Sequence, residues 1–234
     1  MDPTDLEQQL AGLTGLADPV RRALYRHVGE RGVAVARDEA ARAVGISRAL
    51  AAYHLDKLVD DDLLEARYER RTGRRGPGAG RPAKLYLRSP RQIELSLPAR
   101  DYAALAELLA RAVEADQSGA ARTALHHAAR DLGNQIAAET VMRLISEGSH
   151  QPVLATLRQV LDSRGYEPHD DADGTIRLRN CPFDRIAAQH PELVCGANLA
   201  MVEGLTDQLG GDQAIRPMLD PKPGYCCVAL AGDF

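Results

Sequence analysis

The chain has 234 residues, 44% hydrophobic and 26% charged, with a formal net charge of −4, the profile of a soluble globular protein of one or two domains. No apolar run approaches the roughly 20 residues that span a bilayer, and the polar, acidic Met1–Leu10 stretch is neither a secretory nor a transit leader, so a cytoplasmic protein without a membrane partner is expected. With 4% aromatic residues and no Trp, base stacking on an aromatic platform is excluded, which leaves duplex DNA as the nucleic acid to consider.

Asp18-Pro19 predicts a helix start, with Asp18 as cap and Pro19 at the first position, where a missing amide costs nothing. Val20, Leu24 and Val28 line one face, and Gly29 is expected to stop the helix. A short helix over Asp38–Val44 turns Ala40, Ala41 and Val44 to the core, and Gly45 makes the turn into a third helix capped by Ser47. There Ile46, Ala51, Leu55 and Leu58 share one face. Arg48, Ala49, Ala52, Tyr53 and Lys57 fall largely elsewhere, and the small Ala49 and Ala52 let the backbone approach a surface closely, as a helix in a major groove must. Asp60-Asp61-Asp62 ends it, Asp tolerating a left-handed backbone better than most residues.

Two strands, Leu63–Glu69 and Ala83–Leu87, flank a tip rich in glycine and arginine, Gly73 to Pro82. The second places Leu85 and Leu87 on one face and Lys84 and Tyr86 on the other. From Arg67 to Arg88 there are eight basic residues and one acidic, a net +7 in 22 residues of a chain that totals −4. Such a hairpin suits phosphates or a narrow minor groove. The candidate DNA contacts are Ser47, Arg48, Ala49, Ala52, Tyr53, His54 and Lys57 on the helix, with Arg70, Arg71, Arg74, Arg75, Arg81 and Lys84 on the hairpin.

These pieces resemble a known family. Asp18-Pro-Val-Arg-Arg-Ala-Leu24, Ala40-Ala-Arg-Ala-Val-Gly-Ile-Ser47 and Tyr53-His-Leu-Asp-Lys-Leu58 are similar to the winged helix-turn-helix domain of ArsR-type bacterial repressors, over about Asp18 to Arg88. Gly80-Arg-Pro-Ala-Lys-Leu-Tyr86 resembles the return strand of the wing in the subgroup that includes the SufR iron–sulfur-sensing repressors. The resemblance implies a DNA-binding repressor rather than an enzyme.

Beyond the Ser89-Pro90 connector, Gln92–Leu97 predicts a short strand. Two helices follow: Pro98–Asp116 with a stripe of Leu105, Leu108 and Leu109, and Ala120–Gly148 with Leu125, Leu132, Ile136 and Val141. Their narrow stripes suggest pairing with a second copy, and a homodimer would supply two reading helices for two half-sites. His126-His127 reads as helix surface. The last segment alternates a helix over Pro152–Arg164, a hairpin turning at Asp170–Gly174, a helix near Pro191–Leu209 and a hairpin of Ala214–Leu219 with Gly224–Leu230. The three aspartates of the first turn lack full calcium-loop spacing and read as a polar turn.

All four cysteines, Cys181, Cys195, Cys226 and Cys227, lie in the last 54 residues. In a reducing compartment that points to metal or redox chemistry, set against buried cysteines serving as small apolar residues. The spacing lacks the paired knuckles of a zinc ribbon. Adjacent strand residues point to opposite faces, so one of Cys226 and Cys227 is expected to join the others and the other to lie in the core. Cys181-Pro-Phe183, Val194-Cys-Gly-Ala-Asn198 and the late Cys226 resemble the sensor end of SufR-like repressors, while Leu209 stands where some of them carry a cysteine. The resemblance implies Cys181, Cys195 and Cys226 as ligands of an iron–sulfur cluster, [4Fe–4S] in that subgroup. Met201-Val-Glu-Gly204 and the terminal strand also resemble vinyl-reductase-like small-molecule sensor domains. Another metal, an organic ligand, or a Cys nucleophile served by His190 remain as alternatives. The whole predicts an α+β chain: a winged helix-turn-helix over residues 1–90, a helical dimerisation segment over 91–150, and a small α+β sensor domain over 151–234.

Overall fold

Residues 10, 12–69, 82–93, 100–149, 151–209 and 215–232 are described by a computed structural model, in which the chain divides into two units, Met1–Arg100 and Asp101–Phe234. In the first, α1 (Pro19–Arg31), α2 (Arg37–Val44) and α3 (Arg48–Asp60) pack on a three-stranded antiparallel sheet ordered β1 (Val35–Ala36), β3 (Ala83–Arg88), β2 (Leu64–Glu69). Asp18 caps α1 by accepting from the amides of Val20 at 2.8 Å and Arg21 at 3.0 Å. The helix runs past Gly29 and ends at Gly32, which takes the left-handed conformation. Gly29 is thus inside the helix and not its stop. A Cβ there would meet the Arg88 guanidinium at 2.1 Å, the movable end of a side chain that also lies over the Tyr25 ring at 5.5 Å.

Leu24, Val28, Ala40, Ala51, Leu55, Leu58 and Tyr86 form the shared core of this unit. The wing hairpin pairs Leu64 with Arg88 through Glu69 with Ala83, and Val35 of β1 lies opposite Tyr86. With β3 paired on both sides, Leu85 and Tyr86 are both buried, so the faces predicted for this strand do not divide into core and solvent. Gln92 and Ile93 carry no strand, and residues 94–97 of the predicted strand lie outside the described residues.

The second unit begins with α4 (Tyr102–Ala115) and α5 (Ala120–Ser146). It continues with α6 (Val153–Ser163), β4 (Pro168–Asp170), β5 (Ile176–Leu178), α7 (Asp184–Ala187), α8 (Pro191–Leu209), β6 (Arg216–Leu219) and β7 (Val228–Ala231). The sheet is antiparallel, ordered β4-β5-β7-β6. Its core joins Ile136 and Ala137 of α5, Leu157 and Leu161 of α6, Ile176 and Leu178 of β5, and Val202 and Leu205 of α8. Helices α5 and α8 touch backbone to backbone, because added Cβ atoms at Gly133 and Gly204 would meet Met201 O at 2.0 Å and Arg130 O at 2.1 Å. Arg130 bridges the same pair through Glu203 and Asp207. The aspartate-rich turn at 170–174 serves an arginine: Arg177, almost wholly buried, is held by Asp171 at 3.1 Å and by Asp220.

His190 joins α4 to the segment before α8. Its Nδ1 and Nε2 lie 2.8 Å from Glu114 and 2.9 Å from Glu107, and Arg111 sits on Glu107 at 2.6 Å. With a carboxylate at each nitrogen, both must donate, which requires the imidazolium. The bonds to Glu107 and then Glu114 raise its pKa above 6.5. A raised folded value means that this stability is fully present below 6.5 and is lost as pH rises through the folded value. Thermal melts across that range should show wild-type stability falling on the alkaline side and a flatter profile for His190→Gln. Identical profiles would refute the ion pairing.

Candidate nucleic-acid interface and thiol cluster

Two residues make the turn from α2 to α3 and a third follows the end of α3. Gly45 takes φ 73, Ser47 stays extended and its Oγ accepts from Leu50 N at 3.2 Å, and Asp62 takes φ 57 after the helix ends. Ala51, Leu55 and Leu58 are fully buried. That turns Ala49 and Tyr53 outward, with Arg48 and Lys57 at the flanks and Ala52 half-buried between. Arg48 pairs with Asp38 of α2 at 2.6 Å and Lys57 with Asp60 at 3.2 Å, both exposed pairs of the kind that contributes little to stability. His54 is half-buried against Tyr53, ring centroids 5.1 Å apart, with its Nδ1 enclosed and without a hydrogen-bond partner. It does not stand on the outward face as expected. Leu50 was missed: it is 41% exposed beside Tyr53 at 58%. Its place on the helical wheel, about 100° from the centre of the Ala51, Leu55 and Leu58 face, was the available signal.

Arg70, Arg71, Arg74, Arg75 and Arg81 lie outside the described residues. Lys84, proposed as a phosphate contact, is instead turned to α3, where Asp56 Oδ1 accepts from Lys84 Nζ and Tyr86 OH, each at 2.7 Å. Burial works against the charge on Asp56, yet the two donors outweigh it and hold the carboxyl below its usual range. The bond ties the wing strand β3 to the reading helix.

In the second unit, Cys181 and Cys227 pack against the core that contains Cys226, and the Cys226 thiol is near enough to both to perturb its titration and that of Cys181. Cys226 is 3% exposed, and Asn198 Nδ2 donates to its sulfur at 3.4 Å, while Asn198 Oδ1 accepts from Tyr166 OH at 2.5 Å. The expected division of the adjacent pair is corrected here. Cys226 and Cys227 precede β7 in the loop closed by Asp220 N to Cys227 O at 2.8 Å, so strand alternation does not separate their side chains. Cys226 sits in the core and Cys227 is half-buried. Cys195 is half-buried on α8, one turn before Asn198. The neighbouring Cys226 thiol and then burial push the Cys181 thiol far up; Cys226, lowered by Cys181 but raised by Cys227 and by burial, is pushed up to about 11. Both are protonated at neutral pH, and a metal would have to displace those protons.

Thiols thus come together from two points of the fold, Cys181 and the loop of Cys226 and Cys227, and Cys195 lies on α8 one turn before Asn198. Their chemistry suits an iron–sulfur cluster. Among the described residues no three His, Cys, Asp or Glu side chains are already spaced to hold a metal ion. His190, the candidate base for a cysteine nucleophile, has both nitrogens occupied by glutamates.

Among the described residues no helix is long and apolar enough to cross a membrane. No curated protein and no solved structure matches the chain. A family model described as a helix-turn-helix domain matches residues 16–67, which span α1 to the start of β2 and exclude the whole thiol cluster. The chain therefore carries a helix-turn-helix domain, and that domain supports a DNA-binding transcriptional regulator.

Proposed function

We propose that the chain is a cytoplasmic, homodimeric transcriptional repressor of the ArsR and SufR-like kind, whose C-terminal unit senses an iron–sulfur cluster or redox state through its cysteines. The observation that carries it is the Ser47-capped α3, its outward face bare of core residues, followed directly by the +7 hairpin. Cys181, Cys195 and Cys226 would hold the cluster, which on binding or loss changes the charge and volume of a group set in the core. Dimerisation is supported by the exposed Leu105, Leu108 and Leu109 on α4, at 54%, 65% and 59%. A small organic ligand is the second reading, favoured by a cleft of about 390 Å³ between α5 and α6, lined by Thr140, Arg143, Gln159 and Arg164.

Anaerobic reconstitution with iron and sulfide tests the sensor. The wild type should turn brown with matching iron and sulfide, Cys181→Ser and Cys226→Ser should stay colourless, and Cys227→Ala should keep the colour. A colourless wild type whose DNA affinity ignores thiol oxidation sinks the cysteine sensor. For the interface, Arg74→Ala with Arg75→Ala should lower the salt dependence of binding by roughly one unit of slope per lost phosphate contact. An unchanged slope removes those two arginines from the interface.

A further inference from the structure

Resting on the DNA-binding reading, we propose that the recognition helix selects duplexes by the C5 methyl groups of thymine, through Ala49, Leu50 and Tyr53. The first turns of such a helix are the part that reaches base edges. Here the polar groups at those turns have partners within the chain, the Arg48 and Lys57 pairs being exposed ones. Ser47 Oγ caps Leu50 N at 3.2 Å, Arg48 is paired with Asp38 at 2.6 Å, and further along Lys57 is paired with Asp60 at 3.2 Å and Asp56 with Lys84 at 2.7 Å. Between those groups the helix offers an apolar strip outward: the Ala49 methyl, Leu50 at 41% exposure and the Tyr53 ring at 58%. A monomeric domain gains nothing by holding a leucine and a tyrosine side by side in water. In the major groove only thymine presents a methyl, and apolar side chains are its natural complement. The neighbouring hairpin, at net +7, supplies attraction to phosphate without regard to sequence. Affinity and selection are therefore divided between wing and helix, and the selection is for hydrocarbon.

The test uses the full chain and a pool of random-sequence duplexes, from which tight binders are selected and then remade with deoxyuridine for thymidine at single positions. Uridine keeps every hydrogen bond and removes one methyl. Burial of a methyl-sized group implies about a fourfold loss of affinity per critical thymine, with the salt slope unchanged. Leu50→Ala, on an exposed site that leaves the core intact, should bind selected thymine and uridine duplexes alike at one of those positions. Equal affinity of the wild type for thymine and uridine duplexes, with salt-dependent binding retained, overturns the methyl proposal and leaves DNA binding standing. Absence of salt-dependent binding to every duplex in the pool overturns the DNA-binding reading itself.

Discussion

Replacing Gly133 or Gly204 with alanine should destabilise the second unit by about 1–3 kcal/mol or more, although alanine is the better helix former. In an isolated helix the exchange would gain about 1 kcal/mol. At the α5–α8 crossing the new methyl meets backbone: Met201 O at 2.0 Å and Leu205 N at 2.8 Å for Gly133, Arg130 O at 2.1 Å for Gly204. Backbone cannot rotate aside as a side chain can, so the helices must separate along their contact. That loosens Ile136 and Ala137 on one helix and Val202 and Leu205 on the other, all in the core of this unit. Against a total stability of about 5–15 kcal/mol the loss is large. Denaturant midpoints would measure it, with Ala138→Gly at an exposed position of α5 as a propensity control. A stabilised Gly133→Ala variant would show that the two helices do not approach this closely.

Tyr86→Ala should cost the first unit about 3–5 kcal/mol, since the ring is fully buried and nothing nearby can fill its volume. Tyr86→Phe separates packing from tether. It keeps the ring and removes only the donor to the Asp56 carboxylate, for about 1.5–3 kcal/mol, and Lys84 remains on that carboxylate. The Ala variant should therefore lose more stability than the Phe variant, in which Lys84 still couples β3 to α3. A DNA titration against salt reads that coupling: the Phe variant should keep discrimination near wild type, and the Ala variant should lose binding with its fold. Equal stability losses in the two variants would assign the effect to the hydroxyl alone.

Local chemistry was legible wherever a residue acts on its own neighbours. Asp18 and Ser47 cap helices through amides two and three residues on, Gly45 and Asp62 take left-handed backbone, and the Ala51, Leu55 and Leu58 face is buried as its spacing requires. The concentration of positive charge between Arg67 and Arg88 and of cysteine after residue 180 is likewise a property of the sequence alone. What tertiary structure decided depends on partners distant in the chain. Gly29 reads as a helix stop, but the helix runs on to Arg31 and the Arg88 side chain, far along the chain, lies against it. Lys84 reads as a phosphate ligand until Asp56 claims it, and His190 reads as a base until Glu107 and Glu114 close on both nitrogens. Cys226 and Cys227 read as strand neighbours on opposite faces, but the Asp220–Cys227 loop takes them out of the strand, with Cys226 in the core and Cys227 half-buried. Capping and periodicity act within a few residues, whereas an ion pair or a steric gap is specified by whichever side chain the fold brings opposite.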